Sequence, residues 1–221
     1  MPKLAWIALL ACVLLGGCVE TRFESPLGDN IETCDTAWKG LWFSADDDGR
    51  RADGERHETG MHVDEACALT LFEQPEAGGP LKHTRIPVNF VHAGGNDYVV
   101  VTDVALRALG DIAPPYDIDP VPQKSYFFAK YRIRGDRLEL RNVDSNKAAR
   151  LVIDGKLDGT VAKGRNSLHV YIRGGRQQML DAVRRHDLFE DKPAYFFKRS
   201  SQSLQDFERS LRKTAATESR R

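Results

Sequence analysis

From Trp38 onward the chain is cut into runs of six to nine residues, rich in apolar side chains, by glycine, proline, asparagine and aspartate. Runs that short, bounded by turn residues, match strands better than helices. Trp38, Gly40, Trp42 and Ser44 share one face of the first run, and Lys39, Leu41 and Phe43 take the other. Similar runs cover His57 to Val63, Ala66 to Glu73, Ile86 to His92 and Tyr98 to Val104, with Gly94-Gly95-Asn96 marking a hairpin between the last two. Tyr126 to Arg134 and Arg137 to Val143 flank Gly135-Asp136, a two-residue linker typical of hairpins. Leu168 to Arg173 and Pro193 to Lys198 follow, and the aromatic run Tyr195-Phe196-Phe197 lacks clean alternation, which suits a strand covered on both faces.

Two helices interrupt these strands. Ser145 can cap one that runs through Ala148, Ala149, Val152 and Ile153 and stops at Gly155. The second starts after Gly174-Gly175, gathers Met179, Leu180 and Val183 on one side, and ends near His186. Beyond Arg199 the chain changes character. Ser203-Leu204-Gln205-Asp206 has the form of a capping box with the shorter acid, Leu204, Phe207 and Leu211 fall on one helical face, and Arg209, Arg212, Lys213, Arg220 and Arg221 make this tail basic. The tail reads as either a solvated helix or a partner-binding one.

About nine strands with two helices predict a mainly β fold, an antiparallel sheet that closes or nearly closes into a barrel, followed by a C-terminal helix. The expected organisation is a leader over 1–17, a tether over 18–30, a β-rich domain over 31–199 and a basic helical tail over 200–221. The 221 residues carry 32 basic and 32 acidic side chains, a balance that argues against a dedicated nucleic-acid binder. With 41% apolar residues, the chain is too hydrophobic for wholesale disorder.

The N-terminus has a function of its own. Met1 to Lys3 form a short cationic start, Leu4 to Leu15 an apolar run of signal-peptide length, and Leu15-Gly16-Gly17-Cys18 closes it. Twelve apolar residues are too few to span a bilayer as a helix, which takes about 20. The closing tetrad resembles the lipobox of bacterial lipoproteins. The resemblance implies that Cys18 is acylated with palmitate-type chains and becomes the first residue of the mature protein, held at the membrane by its lipid. In the enterobacterial pattern an Asp after the lipidated Cys retains the protein at the inner membrane. Val19 occupies that position here, which implies the periplasmic face of the outer membrane. Removal of Cys12 with the leader and acylation of Cys18 leave Cys34 and Cys67. In an exported protein these form a disulfide or stay as two buried thiols, and no Cys or His lies at ligand spacing for zinc.

A second resemblance starts at Gly40-Leu41-Trp42, which looks like the Gly-x-Trp signature of lipocalin-like barrels. There the Trp plugs the closed end and stacks against an Arg from the end of the barrel, a part that Arg199 could take. The calycin pattern puts its helix after the strands, whereas this chain sets helices between them. That order of helix, strand, helix and final aromatic strand also resembles a group of small uncharacterised proteobacterial lipoproteins, which implies no activity.

Chemical motifs are few. His57-Glu58-Thr59-Gly60-Met61-His62 is one residue too long for a zincin, and on a strand its two rings would face opposite ways. Counting Ser44 as position one puts Asp46, Asp48, Gly49 and Glu55 at the third, fifth, sixth and twelfth places of a calcium loop, although Ser44 and Arg51 depart from the pattern. The alternative is an acidic hairpin loop kept polar by exposure. No Gly-x-Ser-x-Gly elbow occurs, and Gly159 to Gly164 lacks the Lys-Ser/Thr of a phosphate loop. Ala105 to Lys124 carries Pro114, Pro115, Pro120 and Pro122, a loop that either packs over one barrel end or covers an opening, with Tyr116 at least partly buried in both cases.

The sequence therefore predicts a lipid-anchored envelope protein without catalytic residues or cofactor, acting as a binding or interaction module of unknown partner, with an envelope protein or a small apolar ligand as the candidates. Two alternatives stand beside it: a lipocalin-like carrier of a small apolar ligand, and a hydrolase whose site is assembled from distant residues. Replacing Cys18 with Ser should give a full-length precursor that no longer incorporates radiolabelled palmitate. Unchanged labelling of that variant would end the lipoprotein reading.

Overall fold

The protein is described from a computed structural model, in which residues 19–48, 59–74, 79–106, 125–165 and 167–218 are placed. Twelve strands are present: β1 (Val19–Phe23), β2 (Gly40–Ala45), β3 (Thr59–Val63), β4 (Leu69–Glu73), β5 (Lys82–Ile86), β6 (Asn89–Ala93), β7 (Asn96–Thr102), β8 (Tyr126–Arg134), β9 (Arg137–Asn142), β10 (Gly159–Lys163), β11 (Leu168–Ile172) and β12 (Tyr195–Ser200). Four helices accompany them: α1 (Asp103–Leu106), α2 (Ser145–Ile153), α3 (Arg176–His186) and α4 (Leu204–Glu218). The chain divides into two compact units. The first holds residues up to Thr33, Val88–Tyr131 and Leu140–Ala194; the second holds Cys34–Pro87, Arg132–Glu139 and Tyr195 onward. The sequence expected one β-rich domain over 31–199; its residues group into these two units, and the long β8–β9 hairpin contributes residues to each.

In the first unit the strands run β10-β11-β1-β8-β7-β6. All pairs are antiparallel except β1 with β11, which is parallel from Val19↔Leu168 to Phe23↔Ile172. One face is apolar. Phe23 stacks on Phe128 with ring centres 4.1 Å apart, and Val170, Ile172 and Val100 lie in the same cluster as Ala148 and Ala149 of α2 and Met179, Ala182 and Val183 of α3. Both helices show why they start where they do. The Asp144 carboxylate accepts from the Lys147 amide at 3.0 Å, so Asp144 is the cap of α2 and Ser145 its first residue. Ser145, expected as that cap, turns inward and its Oγ accepts a hydrogen bond from Thr21 Oγ1 at 2.8 Å. At the start of α3 the Gln178 side chain reaches back to the Gly175 amide at 2.7 Å.

Residues 19–30 are not a tether. Their first five form β1, between β11 and β8, and Leu27 is fully buried in the apolar cluster of this unit. The polar letters of Glu20, Thr21 and Arg22 concealed the strand, because each finds a buried partner that only the fold supplies.

In the second unit β12-β2-β3-β4-β5 form an antiparallel row, with the β9 end of the hairpin beside β12. Phe43, Gly60 and Phe72 stand side by side across β2, β3 and β4. A Cβ on Gly60 would sit 2.6 Å from Phe72 Cζ and 2.2 Å from the Trp42 carbonyl oxygen, so the glycine is what lets that ring cross the sheet. Phe207 of α4 closes this group, 4.8 Å from Phe43 and 5.8 Å from Phe72 between ring centres. Helix α4 therefore packs, and a freely solvated tail is corrected on that point: Leu204, Phe207 and Leu211 are the face the periodicity gave, covering Leu41, Phe43 and Phe72. Its start is capped as the sequence implied, with the Asp206 amide donating to Ser203 Oγ at 3.1 Å and that hydroxyl donating to the Asp206 carboxylate at 2.7 Å.

The fold is mainly β. Its sheet is mixed, and among the described residues the strand row does not return on itself. Three strands escaped the sequence: β1, β5 and β10. β1 carries charged residues at alternate places, four of the five residues of β5 are polar or charged, and Pro87 splits what reads as one run into β5 and β6. The proline-rich stretch from 107 to 124, including Tyr116, lies outside the described residues. Cys34 and Cys67 form a disulfide with Cα atoms 5.2 Å apart, closing β2 and β3 into one covalent loop. Under denaturing, nonreducing conditions neither thiol should react with maleimide; stoichiometric modification of both would contradict the bridge.

Candidate functional site

In the first unit, the face of β1 opposite Phe23 carries charge. Residues 20 and 22 share that face by the two-residue period of a strand, and the parallel register sets His169 directly beside Glu20. One carboxylate oxygen of Glu20 takes both neighbours, Arg22 Nη2 at 2.8 Å and His169 Nδ1 at 2.9 Å. All three residues are buried, and the Arg22 guanidinium also lies 5.2 Å from the centre of the Phe127 ring on β8. A buried carboxylate with one cation lost is left with an uncompensated desolvation penalty, a cost of about 3–5 kcal/mol, so the cluster is held together tightly. Tyr171, two residues along β11, has its phenol pushed above the usual tyrosine range by burial first and then by the Glu24 and Asp103 carboxylates, against the opposing pull of Arg173.

A Glu–His pair of this kind could orient an imidazole as a base. Thr21 projects to the opposite face of β1, where it is engaged with Ser145. The arrangement holds charge inside the fold and fixes β1 against β11. No motif announced it, since Glu20 and His169 are 149 residues apart.

In the second unit the structure brings Gly40, Trp42 and Arg199 together. Trp42 is fully buried, its indole N–H donating to the Trp38 carbonyl at 2.7 Å from the short 3-10 turn Thr36–Trp38 that precedes β2. Antiparallel pairing sets Arg199 of β12 opposite Trp42, with the guanidinium carbon 4.3 Å from the indole centre. The guanidinium is anchored beyond the ring by donating from Nη2 to the Ala37 carbonyl. Gly40 has φ +117°, and a Cβ there would lie 3.7 Å from Arg199 Cδ, so the glycine serves the backbone turn while the Arg stem lies against it.

The same unit has an open cleft of about 540 Å³ between β5 and α4, lined by Gly79, Pro80, Leu81, His83, Glu208, Leu211 and Arg212. Leu81 and Leu211 form an apolar floor that continues into the Phe207 cluster. Its rim carries both signs of charge: Glu208 lies 3.2 Å from His83 and 3.6 Å from Arg212. The sequence missed this site because β5 went unread, and His83 gains meaning only opposite α4.

The remaining sequence candidates fare differently. Asp46 and Asp48 lie exposed in the turn after β2, while Gly49, Glu55, His57 and Glu58 fall outside the described residues. A cation already serves that turn, since Arg137 donates from Nη2 to the Asp47 carbonyl at 2.7 Å. Among the described residues no group of three His, Cys, Asp or Glu side chains is arranged to hold a metal ion. His62 faces into the β2–β3–β4 row opposite Thr70, and Cys18 lies outside the described residues. No family model matches the chain, and comparison with curated proteins and with solved structures finds no match.

The contact between Trp42 and Arg199 is measurable by its energy. Trp42→Phe and Arg199→Ala should depart from additivity by about 1 kcal/mol in a denaturation double-mutant cycle, beyond the ~0.5 kcal/mol scatter of independent sites. Strict additivity would mean that the stacked guanidinium contributes nothing to the fold.

Proposed function

We propose that the chain is a lipid-anchored envelope protein whose folded part is a non-enzymatic binding or interaction module. The anchor rests on the cationic start, the apolar run and Leu15-Gly16-Gly17-Cys18, and Val19 after the cysteine favours the periplasmic face of the outer membrane. The observation that carries the module is the cleft beside α4. An apolar floor of Leu81 and Leu211 with a rim of His83, Glu208 and Arg212 is the composition of a protein contact, where a buried apolar centre is ringed by polar groups. The buried Arg22 and His169 of the first unit both meet Glu20.

A second reading, a nearly closed lipocalin-like barrel carrying a small apolar ligand, draws support from Arg199 stacked on Trp42 two residues after Gly40. It requires a dry space enclosed by strands. The two readings separate in one set of preparations. A photo-crosslinking amino acid at Arg212, in the lipidated protein in its own membrane, should yield one discrete adduct that disappears when Leu81 is changed to Glu. Adducts indifferent to Leu81→Glu overturn the cleft as the contact, and an apolar small molecule retained through purification and found by mass spectrometry favours the carrier.

A further inference from the structure

The position of β1 restricts where the membrane can be. Val19 is already hydrogen-bonded sheet, paired with Leu168, and one extended residue spans at most ~3.6 Å. On the reading above, with acyl chains on Cys18, no slack remains between the lipid and the first unit. The end of this unit that holds Val19 must then lie among the headgroups.

Topology tells which residues share that end. Parallel pairing brings the start of β11 beside the start of β1, and the β10–β11 turn with it, since Lys163 pairs with Leu168. Strand β8 runs opposite to β1 and β7 opposite to β8, so the β6–β7 turn at Gly94-Gly95 lies at the same end. Helix α3 packs on the apolar face and brings its last turn there, with Arg184 Nε 3.0 Å from the place a Cβ on Gly94 would occupy. Lys163, Arg165, Arg184 and Arg185 are all exposed. Asp181 lies 3.8 Å from Arg185 and offsets that cation, Asp97 lies 2.8 Å from His92, and Asp187 is exposed beyond α3, which leaves Lys163, Arg165 and Arg184 as the cations this end presents.

We infer that this basic end, formed by the β10–β11 turn and the last turn of α3, is a docking face for anionic phospholipid headgroups, set against the bilayer by the absence of a tether after Cys18. Lysine and arginine side chains are drawn to an anionic surface, so these three bias the orientation of a domain that its acyl chains already hold. The opposite end of the unit, where the loop after α2 carries Lys156, faces away from the membrane.

The test uses the full lipidated protein in vesicles of phosphatidylglycerol and phosphatidylcholine that contain headgroup-nitroxide lipids. A fluorophore is placed through Arg165→Cys or, at the far end, through Lys156→Cys, with Cys34 and Cys67 protected by their disulfide. Quenching should be several-fold stronger at position 165 than at position 156. It should fall at least twofold at position 165 when phosphatidylglycerol is omitted, or when Lys163→Glu and Arg184→Glu are combined. Equal quenching at the two positions, or quenching indifferent to lipid charge and to both substitutions, overturns the docking face while leaving the anchor intact. Palmitate labelling of the same preparation separates the two ideas, since an unlabelled protein defeats the anchor and this inference together.

Discussion

The first unit depends on one strand being accepted between two others. β1 is short and polar in composition, yet it fills the slot between β11 and β8, so its buried side chains must be matched, most of them by residues far along the chain. Phe23 meets Phe128, Thr21 meets Ser145, and Glu20 meets both Arg22 and His169. Leaving any one of these polar groups buried and unmatched would cost more than its hydrogen bond gains, and that asymmetry makes the parallel register specific. A shift by one residue would turn Glu20 and Arg22 into the apolar cluster and Phe23 out of it.

The second unit solves a different problem, how to end a row of strands without leaving its aromatic side chains in water. Trp42 is covered on one face of β2 by the Arg199 guanidinium, which the preceding 3-10 turn holds in place through Ala37. Phe43, on the other face, is covered by Phe72 and by Phe207 of α4. Helix α4 is thus part of the core of this unit, and the cleft beside it exists because the helix bridges to β5 with a floor of leucines and a rim of paired charges.

These two solutions bear on function in opposite ways. The charges of β1 are turned inward, Glu20 meeting Arg22 and His169. Those around the cleft, and those at the Val19 end, remain at the surface, where they can meet a partner or a lipid headgroup. That contrast is what the proposed recognition role rests on.

What the sequence determined was local. Alternation and turn residues marked most of the strands, Gly155 and Gly174-Gly175 bounded helices α2 and α3, the spacing of Leu204, Phe207 and Leu211 gave the buried face of α4, and counting cysteines left Cys34 and Cys67 for each other. The pairing of Gly40-Leu41-Trp42 with Arg199 was legible only through a resemblance, because 157 residues separate Trp42 from its cation. Only the tertiary structure decided the rest. It made a strand of Val19–Phe23, placed His169 beside Glu20, divided the chain into two units and opened the cleft between β5 and α4. The physical reason is that periodicity reports a side chain's own preference for water or oil. A Glu, Arg or His reports a preference for water, and only a partner that the fold brings to it lets that preference be overridden by burial.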